Sequence, residues 1–277
     1  EESLKKAEVR IKEDVDTLVK SGNMTEQEAD KLLGSLSYTT SMDCFKDCDF
    51  VAENLTENVE IKDTFYKELS DVVSDNSIIT TNTSGLSINR LAQSVKKPER
   101  FIGMHWFNPP HLVPLIEIIK GDATTDEVAK DIYDLSLKID KKPVIVNKDV
   151  PGFAANRLQF AVLREALDLV KKGVVSPEGI DDVMKYGLGF RYACLGPLEV
   201  SDFGGLDTFY HISEYLMKDL CDDKEPPELL KQHFEAGEYG VKSAKGFYDY
   251  SDGRDRIATG ERDEKFLKVY HALYEDK

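Results

Sequence analysis

Short apolar runs alternate with amphipathic segments through the first half of this chain, and the alternation stops at Pro151. That switch limits the fold more than any other feature. Short apolar runs over 50–52, 78–81, 101–105, 115–119 and 144–146 predict strands. Segments over 59–73, 87–94 and 126–139 predict helices, the first of them amphipathic. Strands alternating with helices predict an α/β fold with a mostly parallel sheet. Ahead of them, residues 1–21 predict a helix, with Leu4, Ile11, Val15 and Leu18 on one face. Thr25 and Glu28 form a capping box for a second. After Pro151 the signal is helical to about Leu220. One long helix over 153–172 is stopped by Gly173, and Ser176-Pro177 caps the next. The predicted organisation is an α/β domain over 1–148 and an all-helical domain over 149–277.

Charge removes several function classes. The chain has 52 acidic and 36 basic residues, a net charge of −16. A nucleic-acid partner calls for a basic footprint, so none is expected, and an anionic ligand must find its cations locally. No apolar run approaches the roughly 18 residues of a membrane span, so no membrane partner is expected, and EESLKKAEVR is no signal peptide. The four cysteines, Cys44, Cys48, Cys194 and Cys221, lack zinc spacing. They read as reduced thiols of a cytoplasmic protein. The five histidines are too scattered for a metal site, and no metal is predicted.

Ligands of open parallel sheets bind at the carboxyl ends of the strands. Three polar groups fall there: Glu53-Asn54 after the first strand, Asn82-Thr83-Ser84 after the second, and His105 ending the third. Asn82 and Thr83 taken alone are ordinary turn formers. A lone histidine after a strand is usually structural. Glu117 alters that balance, because a carboxylate inside PLIEII needs a partner. An imidazole donating Nδ1–H to it satisfies both groups and leaves Nε2 free to take a proton. Asn156, on the helix opened by Pro151-Gly152, is placed either as a helix-terminal contact or as an amide holding substrate.

These segments together resemble the 3-hydroxyacyl-CoA dehydrogenase family. DFVAENLTENVEIKDTFYKEL, TNTSGLSI, GMHWFNPP with LIEII, KDVPGFAANRL, GPLEVSDFGGLDT and GVKSAKGFYDY carry the likeness in family order. The resemblance implies a Rossmann-like, doubly wound domain followed by a helical domain that makes a homodimer. It implies hydride transfer between NAD and C3 of a 3-hydroxyacyl thioester. His105 matches the general base and Glu117 its carboxylate partner; Ser84 and Asn156 match residues that bond the reacting oxygen. Glu53, Lys62, Asn82, Ser84 and Lys242 match cofactor contacts. Ser3, Arg10 and Lys62 match CoA contacts, with Arg10 replacing a lysine.

Two departures from the family set further expectations. Its opening strand, G-x-G-x-x-G turn and helix are not in this sequence, which predicts a chain short of about 40 residues and of its pyrophosphate site. The segments HWFNPPHLVPL and GLGFRYACLGPLE, with Arg191, look closer to the branch acting on free hydroxy acids such as gulonate, carnitine or a pyridine carboxylate. An acyl-CoA and a free hydroxy acid both stand as substrate classes. A non-catalytic role of the kind lens crystallins have taken from this family is a third alternative.

Overall fold

The computed structural model describes residues 1–274. Two helices come first, α1 (Glu2–Lys20) and α2 (Glu26–Gly34), packed on each other. The capping box of α2 is formed, with the Thr25 hydroxyl accepting from the Glu28 N–H and Glu28 accepting from the Thr25 N–H. Strand β1 (Phe50–Glu53) follows, then α3 (Val59–Ser70), β2 (Ile78–Thr81), α4 (Ile88–Ala92), β3 (Phe101–Trp106), β4 (Leu115–Ile119), α5 (Asp126–Lys138) and β5 (Lys142–Val146). Helix α3 was expected to reach Val73 but stops at Ser70, capped by Asp71.

The sheet has strand order β1-β2-β3-β4-β5. Three pairings are parallel, and β3 with β4 is antiparallel. Side chains alternate faces along a strand, and that sorts the core into two layers. Val51, Ile79, Phe101 and Ile119 pack with Tyr66 and Leu69 of α3 and with Ile88 and Leu91 of α4. Ile78, Ile102, Met104, Ile116 and Ile118 pack with Val128, Ala129 and Ile132 of α5. Helices therefore cover both faces, as a doubly wound sheet requires. Gly103 permits the close approach of α4: a Cβ there would sit 2.9 Å from Ile88 Cδ1 and 3.0 Å from Ile119 Cβ.

Past the sheet, Gly152 (φ +76°) and Phe153 (φ +51°) turn the chain into α6 (Ala155–Lys171). Gly173 (φ +69°) ends it. Then come α7 (Pro177–Val183), a π-turn over Met184–Leu188, α8 (Gly189–Tyr192), α9 (Pro197–Gly204), α10 (Leu206–Leu216), α11 (Glu228–Glu235) and α12 (Arg254–Leu273).

Candidate active site

His105 and Glu117 face each other across the antiparallel β3–β4 rung. Nδ1 of His105 lies 2.9 Å from Glu117 Oε2. The other carboxylate oxygen, Oε1, accepts the backbone N–H groups of Ala154 at 3.0 Å and Ala155 at 2.9 Å. Glu117 is thus held between an imidazole and the amino end of α6, where free N–H groups favour negative charge. Burial pushes its pKa up. The His105 hydrogen bond and the Ala155 and Ala154 amides outweigh that and hold it below the ordinary carboxylate value. An ionised carboxylate only accepts, so Nδ1–H is the donor in this bond and Nε2 is the ring nitrogen left for substrate. The imidazole is buried, with the Phe107 ring centroid 4.5 Å away and that of Phe153 5.7 Å away.

The residue after Ala155 carries the site outward. Asn156 Nδ2 donates to the Ser84 backbone carbonyl at 2.9 Å and ties the loop after β2 to α6. Both residues line a cleft of about 1070 Å³. Its walls include Leu86, Phe160 and Arg164, with residues 223–227 across from α6.

The other expected contacts fall in different places. Glu53 belongs to β1 itself, and the period of two puts it on the buried face with Val51. It is 2% exposed and Lys62 is 1% exposed. Lys62 Nζ lies 2.7 and 2.9 Å from the two Glu53 oxygens. The Tyr66 and Thr81 hydroxyls and the Leu55 N–H also donate to Glu53. Burial pushes the Glu53 pKa up, and these donors, Lys62 first, more than reverse it. The pair expected to reach ribose and CoA is instead a buried network in which each partner satisfies the other. Asn82 accepts from the Trp106 N–H and donates to Asn54, linking three strand ends. Ser3 and Arg10 are exposed on α1, Lys242 on a short turn and Arg191 on α8; none of them lines the cleft.

Glu57 is a cleft residue outside the set expected from sequence. It lies on the loop between β1 and α3, its side chain 44% exposed. One oxygen accepts from the Ser84 N–H at 2.9 Å and from the Thr83 hydroxyl; the other lies 3.7 Å from Lys62 Nζ. Its position one residue before the α3 cap Asn58, past the carboxyl end of β1, was the signal available. Among the described residues, no group of three or more His, Cys, Asp or Glu could hold a metal ion, and no helix is long and apolar enough to cross a membrane.

The comparisons agree with this architecture. Residues 1–150 match the NAD-binding domain of 3-hydroxyacyl-CoA dehydrogenase, and residues 152–250 match its C-terminal domain. A probable 3-hydroxybutyryl-CoA dehydrogenase of Deinococcus radiodurans is 40% identical over 87% of this chain and 85% of its own length. The 5-formyl-3-hydroxy-2-methylpyridine 4-carboxylate 5-dehydrogenase of Mesorhizobium japonicum is 36% identical over 87% of this chain and 78% of its own. A crystal structure of an enzyme of that name, described as NAD+ dependent, superposes with a TM-score of 0.85 at 36% identity, over 88% of this chain and 79% of that one. The (S)-3-hydroxybutyryl-CoA dehydrogenase of Ralstonia eutropha superposes with a TM-score of 0.74 at 36% identity, over 91% and 88%. With a doubly wound sheet, a helical half and both halves matched, the chain belongs to the 3-hydroxyacyl-CoA dehydrogenase family, and its cofactor is NAD.

Proposed function

We propose that this protein interconverts 3-hydroxyacyl-CoA and 3-ketoacyl-CoA, with His105 as general acid/base and Glu117 as its ionised partner. The observation that carries the proposal is the Glu117 carboxylate, bonded to His105 on one side and to two α6 amides on the other. In the oxidative direction Nε2 of His105 takes the hydroxyl proton, and the fixed carboxylate stabilises the imidazolium. In reduction the same atom returns the proton. General acid/base catalysis of this kind is worth about 10²–10⁴-fold, and positioning supplies the remainder. Ser84 and Asn156, joined at 2.9 Å, would set the reacting oxygen in the cleft.

Bound NAD supplies the hydride acceptor. The half-exposed Glu57 carboxylate and the Ser84 turn, at the carboxyl ends of β1 and β2, are polar groups suited to hold its ribose side. Residues 1–148 would serve the cofactor, and residues 149–277 the substrate and a second copy of the chain. A cytoplasmic setting and a homodimer belong to the same proposal; the four cysteines are free thiols.

A free hydroxy acid is the second candidate substrate. It is favoured by the TM-score of 0.85 to the pyridine-carboxylate dehydrogenase against 0.74 to the butyryl-CoA enzyme. NADH oxidation with acetoacetyl-CoA and with a panel of free keto acids separates the two. Turnover of acetoacetyl-CoA is expected. Efficient reduction of a free keto acid alone would transfer the proposal to that class, and no turnover of either would point to a non-catalytic, crystallin-like role.

A further inference from the structure

Arg164 carries a charge that no carboxylate neutralises among the described residues. It lies on the cleft face of α6, eight residues beyond Asn156, which is about 12 Å of helix. One guanidinium N–H donates to the Asp223 backbone carbonyl at 3.4 Å. Its Nε is buried and has no hydrogen-bond partner. A guanidinium offers five donors, and a buried donor left unpaired is costly.

Two neighbouring carboxylates have other partners. Glu165 accepts from the Cys221 N–H at 2.8 Å, and Asp168 Oδ2 lies 2.6 Å from Lys172 Nζ, an ion pair that leaves that oxygen without an aligned hydrogen bond. Asp223 offers Arg164 its carbonyl only. The Glu165–Cys221 bond already straps the 221–227 segment to α6, so the longer Arg164 bond is not what holds it. In a chain with 52 acidic and 36 basic residues, an arginine facing a ligand-sized cleft without an acidic partner is conspicuous. Lys224 lines the same wall; Asp223 and Glu225 line it too but are exposed to solvent, where their repulsion is screened. Glu57, the remaining cleft carboxylate, is bonded at the Ser84 end.

We propose that Arg164 determines specificity by binding an oxyanion of the substrate, a CoA phosphate or the carboxylate of a free acid, while the reacting carbon lies toward Asn156. The assignment rests on the dehydrogenase activity proposed above and adds the anion to it. A guanidinium suits either group, because its paired donors match the oxygens of carboxylate and phosphate alike.

The test is steady-state reduction by NADH of acetoacetyl-CoA, acetoacetate and the neutral methyl acetoacetate. Arg164→Gln should raise KM about 10- to 100-fold for the anionic substrate that the wild type uses, with little change in kcat. KM for the methyl ester should not move. Arg164→Lys should recover most of the loss. An effect confined to acetoacetyl-CoA identifies the CoA phosphates, and one on acetoacetate identifies a carboxylate. An unchanged KM throughout, or an equal rise for the neutral ester, overturns the proposal while leaving the dehydrogenase intact. A wild type inactive on all three removes both. Should Arg164→Gln fail to fold, the wild-type salt profile decides: KM for the anion should rise with ionic strength and KM for the ester should not. A flat profile for both sinks the proposal.

Discussion

At Glu117, burial and hydrogen bonding pull the same carboxylate in opposite directions, and the hydrogen bonds win. His105→Ala should lower kcat about 10²–10⁴-fold with a smaller effect on KM. Glu117→Gln should be costly as well, because it removes the charge that stabilises the imidazolium. The two losses should be less than multiplicative in steady-state kinetics, since the pair acts as a unit; a double variant showing their full product would argue for independent roles. Acid stability should follow the same groups. Glu117 and Glu53 both titrate below their ordinary value of 4.5 in the folded chain. Their contribution is therefore complete above the unfolded pKa and lost as pH falls through the lower folded values. Urea midpoints measured from pH 6 down to pH 3 should drop, and Glu117→Gln should flatten the curve; an unchanged slope would count against the ionised pair.

The elements matter through their faces. On β1, β2, β3 and β4 the positions Glu53, Thr81, Gly103, His105 and Glu117 share the face toward α3 and α4, so the buried ion pair and the dyad lie on one layer. At Gly103 that layer leaves no room for a Cβ. Gly103→Ala should destabilise the fold by about 1–3 kcal/mol through overpacking against Ile88 and Ile119. Chemical denaturation would measure it, and a neutral or stabilising result would mean that Ile88 swings aside at no cost. Helix α6 ties the site together: its amino end holds Glu117, Asn156 reaches Ser84, and its later turns wall the cleft.

For the whole molecule, the distribution of burial is uneven. Past Ala155, Leu167 and Val200 are the buried apolar side chains among the described residues. Leu198 and Phe203 on α9 are 81% and 82% exposed, and Leu158, Leu206 and Tyr210 are exposed as well. Apolar surface on this scale marks an interface rather than a solvated face. A second copy of the chain is expected to cover it. Sedimentation velocity at micromolar concentration should show a dimer, and Phe203→Asp should shift the equilibrium to monomer; a wild type sedimenting only as monomer would defeat the expectation.

Periodicity alone was enough for the five strands, for their alternation with α3, α4 and α5, and for the change to helix after Pro151, because the order of apolar and polar residues is local. The need of Glu117 for a partner was also legible, since an ionised group inside PLIEII cannot stay unpaired. Tertiary structure decided the remainder. The cross-strand register aligned His105 with Glu117 over a separation of twelve residues. One further residue of β1 turned Glu53 inward onto Lys62 and left Glu57 to face the cleft. Side-chain direction on a strand reverses with each residue, so a boundary placed one position short exchanges a buried carboxylate for an accessible one. No local pattern could place Arg164 in that cleft either, because its wall is shared by α6, the Ser84 loop and a segment some sixty residues further along the chain.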